Sequence, residues 1–491
     1  GYGKSSRMTG LVKPGIIRTA SDRPSSLSDV GVMFVWNSGM SKFVDCERDQ
    51  PFLLPPDLRD WIPDDDLAHF VIEAVERVGM SAFKVNHRGT GSAQYHPRMM
   101  LALLIYCYAN GIFSSRRIER ATYRDIGVRF VAANLHPDHD TIATFRRENF
   151  AAVSESFLQV LLLARELKLL KVGLVSVDGT KIEANASKHR SVRYDRAGEL
   201  VAQLELEIAE LMAQADAADG SDDEDPQALP REIARREALR EQLDAARHRL
   251  EAQAKARAEA ERADYEAKVA ARDKREGRAK GKHPKPPSET PRPEGQSNLS
   301  DPDSRLMRKS RNHEYRQAYN AQAVVDAAGS QLILGTRVGQ CASDRNELAA
   351  DIAAIPAELG SPEMVLADSG YANGDEVERL TEAGIEALVA TGAEGRRRSH
   401  DFRPSKAGTA PKEHKAEWLQ AMAATLASDE GRALYKLRQQ TVEPVFGIVK
   451  AVLGFTAFSL RGLDKVSGEW DLVALAYNCK RLHKLKIAMA S

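Results

Sequence analysis

The sequence predicts an α/β protein: a mixed sheet flanked by helices, preceded by an all-helical region and interrupted by a long helical hairpin. Three observations carry this. Between positions 64 and 155, apolar residues recur at helical spacing. Between 319 and 390, short alternating or wholly apolar runs are interleaved with amphipathic ones, as strands and helices of one sheet would be. Between these regions lie two aliphatic stripes on a strongly charged background. The expected organisation is a disordered extension over 1–50, a helical domain over 51–155, a mixed-sheet domain built from 156–190 and 311–491, and an insertion over 191–310.

Composition narrows the classes. The 491 residues hold 70 Lys and Arg against 70 Asp and Glu, so any nucleic-acid footprint must be local. The four cysteines (Cys46, Cys107, Cys341, Cys479) are far apart and form no C-x-x-C, which argues against a disulfide framework or a cysteine zinc site. A reducing cytoplasm is the expected compartment. The longest apolar run, 99–109, is too short to span a bilayer, and no signal peptide is visible, so no membrane partner is expected. Residues 1–39 are rich in Ser, Gly and Pro without periodicity. Their Gly3-Lys4-Ser5 lacks the strand and first glycine that a phosphate loop needs, and Met40-Ser41-Lys42-Phe43 is the expected start of the folded protein's own reading frame.

The elements follow in order. Leu67, Phe70, Val71, Ala74, Val75 and Val78 mark one helix face, with Asp64, Asp65 and Asp66 as its acidic start. Residues 98–108 are apolar almost all round and read as a buried helix. Ser114 is the expected cap of a basic helix with Arg116, Arg117 and Arg120, and Asp140 the cap of another with Arg146 and Arg147. Short helices with outward arginines suit helix-turn-helix contact with DNA phosphates, which makes Arg146 and Arg147 candidate DNA-binding residues. His136-Pro137-Asp138-His139 reads as a turn before a cap and not as a metal site.

In the insertion, Leu200, Leu204, Ile208 and Leu211 form one stripe, and Ile233, Leu239, Leu243 and Leu250 a second. The polar run 220–226 lies between them, so two antiparallel helices are predicted. Large apolar residues stop after Leu250, which predicts a single, solvated far end. A basic, then proline-rich, flexible linker follows over 272–287. Beyond it, 319–326 and 331–338 alternate as a strand pair, 344–357 reads as a helix, 364–367 as a strand, 375–383 as a helix and 385–390 as a strand. Arg396, Arg397 and Arg398 fall in a loop after the last strand.

Three carboxylates stand in chemically suggestive settings. Asp178 ends the apolar run that starts at Val172, and Asp368 ends the run that starts at Met364. Glu443 lies in a segment with helical spacing. Thr441 is its expected cap, and Pro444 would be tolerated in a first turn, where amides lack partners. Two aspartates on strand ends facing a helical glutamate suit a pair of hard cations bound through oxygen, and such a pair serves phosphodiester chemistry. Lys450 lies two helical turns past Glu443, in reach of a phosphate nearby, while Tyr435 and Arg438 are expected to precede the helix.

These residues carry a resemblance. Asp178-Gly179-Thr180-Lys181-Ile182-Glu183-Ala184-Asn185-Ala186, Ala367-Asp368-Ser369-Gly370-Tyr371, and the set Tyr435, Arg438, Glu443 and Lys450 resemble the three signature blocks of bacterial insertion-sequence transposases of the DDE type. Four residues separate Arg438 from Glu443, where the family pattern has three. The resemblance covers roughly 40–491 and implies a ribonuclease-H-like mixed sheet with its large insertion after the first aspartate.

It also implies a catalytic and metal-binding triad of Asp178, Asp368 and Glu443 holding two Mg2+ ions, for which Mn2+ would substitute. DNA contacts are implied at Tyr435, Arg438 and Lys450, and the helical N-terminal domain takes a DNA-binding role. The implied reaction is cleavage at the element's ends, then transfer of the 3′-OH into target DNA by a homodimer in a synaptic complex that pairs two terminal inverted repeats. A bacterial cytoplasmic, nucleoid-associated protein is expected. The same carboxylates would serve a metal-dependent nuclease without strand transfer, and an inactive or repurposed DNA-binding protein would keep the fold without the reaction.

Overall fold

The computed structural model describes residues 57–85, 93–218, 227–273, 283–308, 312–391 and 416–490. The extension over 1–50, the turn at 220–226, the basic run at 274–282 and the arginines at 396–398 lie outside them. Six helices come first: α1 (Leu67–Glu76), α2 (Pro97–Ala109), α3 (Ser115–Arg124), α4 (Ile126–Val131), α5 (His139–Glu148) and α6 (Phe150–Glu166). Every residue of the predicted face of α1 is buried, and Asp66 caps the helix by accepting from the Ala68 amide. Helix α2 is buried from Met100 to Ala109. The cap of α5 is Asp138, whose carboxylate takes both the amide and the hydroxyl of Thr141, so the predicted Asp140 falls inside the first turn.

The sheet starts at β1 (Leu174–Glu183), after which β2 (Ser191–Arg193) leads into the hairpin of α7 (Tyr194–Ala218) and α8 (Ala228–Asp273). β3 (Gln296–Asn298) pairs antiparallel with β2 and closes the insertion at its base. β4 (Arg305–Met307), inside the segment expected to be insertion, is an edge strand of the main sheet. Then come β5 (Arg316–Asp326), β6 (Ile333–Gly339), α9 (Leu348–Ala353), β7 (Met364–Ala367), α10 (Gly374–Glu382) and β8 (Glu386–Val389). The chain ends in α11 (Glu417–Ala427), α12 (Asp429–Gly447), a π-helical turn (Ile448–Val452) and α13 (Leu463–Ala490).

The order across the six-stranded sheet is β4-β5-β1-β7-β8, with β6 also on β5. β1 runs antiparallel to β5 along almost its whole length but parallel to β7 only from Leu174 to Ser176. Beyond Ser176 one edge of β1 is therefore left by β7, and Asp178 and Asp368 fall where the two strands part, at the carboxyl end of β7, the position at which α/β sheets generally present ligands. The mixed order, with parallel strands on one side of β1 and antiparallel ones on the other, agrees with a ribonuclease-H-like sheet.

Helix α13 is buried around most of its middle (Trp470, Val473, Leu475, Tyr477 and Leu482 among others) because it lies between β6 and helices α2 and α6. Among the described residues no helix is long and apolar enough to cross a membrane.

The hairpin differs in part from expectation at its far end. Ala254 and Ala258 are buried, and the proline-rich return lies along α8, with Arg262 paired to Glu289 and the Tyr194 amide donating to the Gly295 carbonyl. Small residues let that extended segment approach the helix as far as Ala258; from Glu259 to Ala270 the helix is exposed except at the half-buried Tyr265 and Val269, as expected of a solvated end.

Candidate active site

Asp178 sits inside β1, opposite Ala323 of β5, and the strand continues to Glu183 instead of ending at the aspartate. The polar stretch after it stays in the sheet because β5 pairs with it throughout. One Asp178 oxygen accepts from the Gly179 amide at 2.9 Å. Asp368 follows β7 directly, and its side chain caps a short turn by accepting from the Gly370 amide at 2.7 Å.

The helix bearing Glu443 corrects the sequence reading. Glu443 is near the end of α12, Pro444 is inside the helix, and Tyr435 and Arg438 are on the same helix instead of preceding it. A proline there leaves the carbonyl four residues back without its amide. That carbonyl, on Gln440, accepts from the Gln331 side chain at 2.7 Å, which makes the interior proline tolerable. Thr441 is no cap. Its hydroxyl lies 2.9 Å from both the Ser176 hydroxyl and the Leu437 carbonyl, and so docks α12 on β1.

The docking brings the three carboxylates around one guanidinium. Arg438 Nη2 is 3.0 Å from Asp178 Oδ2 and 3.8 Å from Asp368 Oδ2, and its Nη1 is 3.2 Å from Glu443 Oε1. Exposure rises outward: the side chains of Arg438, Asp178, Asp368 and Glu443 are 5%, 22%, 38% and 50% exposed. Burial pushes Asp178 up to about 6, against the lowering effect of Arg438 and with the help of the neighbouring Asp368 and Asp344 charges. Among the described residues, no three His, Cys, Asp or Glu side chains are arranged as they stand to hold a metal ion. The donor set nevertheless suits a hard cation, being three carboxylates from three elements that already surround a positive charge.

Lys450 falls in the π-helical turn, so it is not two α-helical turns along the face of Glu443. Its Nζ donates to the Thr180 hydroxyl and, at 3.0 Å, to the Lys181 carbonyl, which ties the turn to β1 beyond Asp178. Tyr435 is half-buried beside the apolar cluster of Leu366, Leu388, Met422 and Leu426.

Arg146 corrects a further expectation. It is buried, and its Nη1 donates to the Tyr108 hydroxyl at 2.6 Å and to the Phe113 carbonyl at 3.1 Å, so it holds helices together and has no access to DNA. Arg147 is exposed, as are Arg116, Arg117, Arg120 and Arg124 on α3.

Sequence reasoning missed a fourth carboxylate. Asp344, read as a helix start, lies before α9. Its Oδ1 accepts from the Asn320 and Gln322 amides at 2.6 and 2.8 Å, and its Oδ2 is 3.6 Å from Lys181 Nζ. Gln322 in turn accepts from the buried Tyr371 hydroxyl. A methyl group on Gly179 would come within 2.7 Å of Asp344 and 2.6 Å of Gln322, so glycine beside Asp178 is what lets this network close. Asn320 and Gln322 alternate on β5 and are the polar residues within its buried central run from Ala318 to Val325; that was the available signal.

Comparison with protein families fits this geometry. Residues 283–479 match a family described as Transposase DDE domain, and residues 56–148 match one described as Transposase domain (DUF772). The chain belongs to the DDE transposases. The first match takes in Asp368, Arg438, Glu443 and Lys450, while Asp178 lies ahead of it across the insertion. The second takes in α1 to α5. Searches of curated proteins and of solved structures gave no match. Function as a DNA transposase follows from the family.

Proposed function

We propose that this transposase cuts DNA at the ends of its element and joins the freed 3′-OH to target DNA in a reaction that depends on divalent metal. The observation that carries the reading is the convergence of Asp178, Asp368 and Glu443, from β1, the end of β7 and α12, on the single guanidinium of Arg438. Those three carboxylates would hold the ions, Mg2+ or Mn2+, which supply activation of the attacking oxygen and stabilisation of the leaving one. The chain's own residues fix the geometry. The Gly179 and Gly370 amides orient the two aspartates, Thr441 sets the height of α12 over β1, and Lys450 secures the strand past Asp178.

Double-stranded DNA is the proposed substrate, met in the helical region by the exposed α3 arginines and Arg147, with two element ends paired by a homodimer on chromosomal DNA in the cytoplasm. The test is excision in cells from a donor carrying the native flanks. Wild type is expected to excise and transfer, and Asp178→Ala, Asp368→Ala and Glu443→Ala each to fall below detection. Cut ends with no joined product would identify a nuclease, and an active Glu443→Ala would remove the third ligand.

A further inference from the structure

Resting on the reading of Asp178, Asp368 and Glu443 as metal ligands, we propose that Arg438 is the resident counter-ion of the site, and that divalent cations load by displacing its guanidinium. Arg438 is a positioning residue in this scheme. The guanidinium sits against an oxygen of every member of the triad, at 3.0, 3.8 and 3.2 Å. A hard dication binds carboxylate oxygens at roughly 2.0–2.6 Å, so metal and guanidinium contest the same atoms.

Without a cation at its centre, a cluster of three carboxylates would spread by repulsion; Arg438 holds it together and keeps Asp178 aimed inward. The hold is incomplete, because Arg438 Nε is buried with no hydrogen-bond partner among the described residues. Solvent lies on the side of Asp368 and Glu443, the two more exposed members at 38% and 50%, and in this proposal that is the direction in which the guanidinium leaves. The device keeps the triad in register before metal arrives and makes metal affinity depend on release of the arginine.

The experiment uses the full chain without DNA. Mn2+ binding is measured by electron paramagnetic resonance of the free ion for wild type, Arg438→Gln, Arg438→Lys and the double variant Asp178→Ala/Asp368→Ala. Arg438→Gln is expected to bind about ten-fold more tightly than wild type, as when a competing state that fills nine-tenths of the population is removed. Arg438→Lys should fall between the two.

Wild type supplies an independent reading. Phenylglyoxal labelling of Arg438, followed by peptide mass spectrometry, is expected to be slow in EDTA and several-fold faster with Mn2+; this measurement decides the matter if Arg438→Gln does not fold by circular dichroism. Unchanged or weaker Mn2+ binding by a folded Arg438→Gln, or labelling that Mn2+ leaves unaltered while it binds, overturns the displacement. If the double variant binds Mn2+ as wild type does, or no variant binds it, the metal-site reading itself fails and takes this proposal with it.

Discussion

Arg146 and Arg438 are both buried arginines on helices, each with an Nε that has no partner among the described residues, yet they serve opposite ends. Arg146, in the helical region, is held by a neutral hydroxyl and a backbone carbonyl, with the buried Glu469 close enough to feel its charge. Its partners come from the end of α2 and the connection that follows it. Arg438 is held by three carboxylates whose exposure grows towards solvent, all of them groups that a stronger cation would claim. A buried charge thus fastens structure where its partners are fixed and neutral, and balances a reactive site where its partners are anionic and open to water.

The largest expected effect sharpens the first half of that comparison. Arg146→Met removes the cation and leaves the Tyr108 hydroxyl and the Phe113 carbonyl without their donor, and deprives the buried Glu469, which keeps its bonds from the Ser459 and Leu460 amides, of the neighbouring positive charge. It should cost about 3–5 kcal/mol in urea unfolding. Arg147→Ala, on the exposed side of the same helix, should stay within about 0.5 kcal/mol and weaken DNA binding instead. A stable Arg146→Met with impaired DNA binding would return Arg146 to the role its sequence suggests.

The next effect concerns pH. Asp178 has a pKa of about 6 in the folded protein, while an unfolded aspartate titrates near 3.9. As pH falls, the folded state therefore takes the proton first, so the cost of the charged group is fully present above pH 6 and is relieved between about 6 and 4. In EDTA, Asp178→Asn should be more stable than wild type by up to about 3 kcal/mol at pH 7.5, and the gap should close towards pH 4. A gap independent of pH would mean that Asp178 is not the strained member of the site.

The two arginines also mark how far the sequence could be read. Most of the strand and helix order and the inward face of α1 depend on short-range pattern and were legible from residues such as Leu67 and Phe70 and from the apolar runs that lead to Asp178 and Asp368. The burial of Arg146 depends on Tyr108 and Phe113, more than thirty residues away, and no periodicity reports it. Asp344 became part of the site through amides on β5, which again are distant in sequence. The error at Glu443 had a local cause with a non-local remedy. Proline usually punctuates a helix, but here a side chain from the turn before β6 supplies the hydrogen bond that the helix loses.

That remedy gives the smallest and most specific prediction. Gln331 takes up the Gln440 carbonyl only because Pro444 cannot. Gln331→Ala should cost about 0.5–1 kcal/mol, since the carbonyl lies near solvent and water replaces part of the bond. In Pro444→Ala, the backbone amide restored at that position serves the same carbonyl within the helix, and Gln331→Ala should then cost close to nothing. The coupling in this double-mutant cycle is therefore expected to equal nearly the whole single-mutant effect. Additive costs would show that Gln331 and Pro444 act separately, and that something other than this hydrogen bond keeps α12 continuous past its proline to carry Arg438 and Glu443 on one rod.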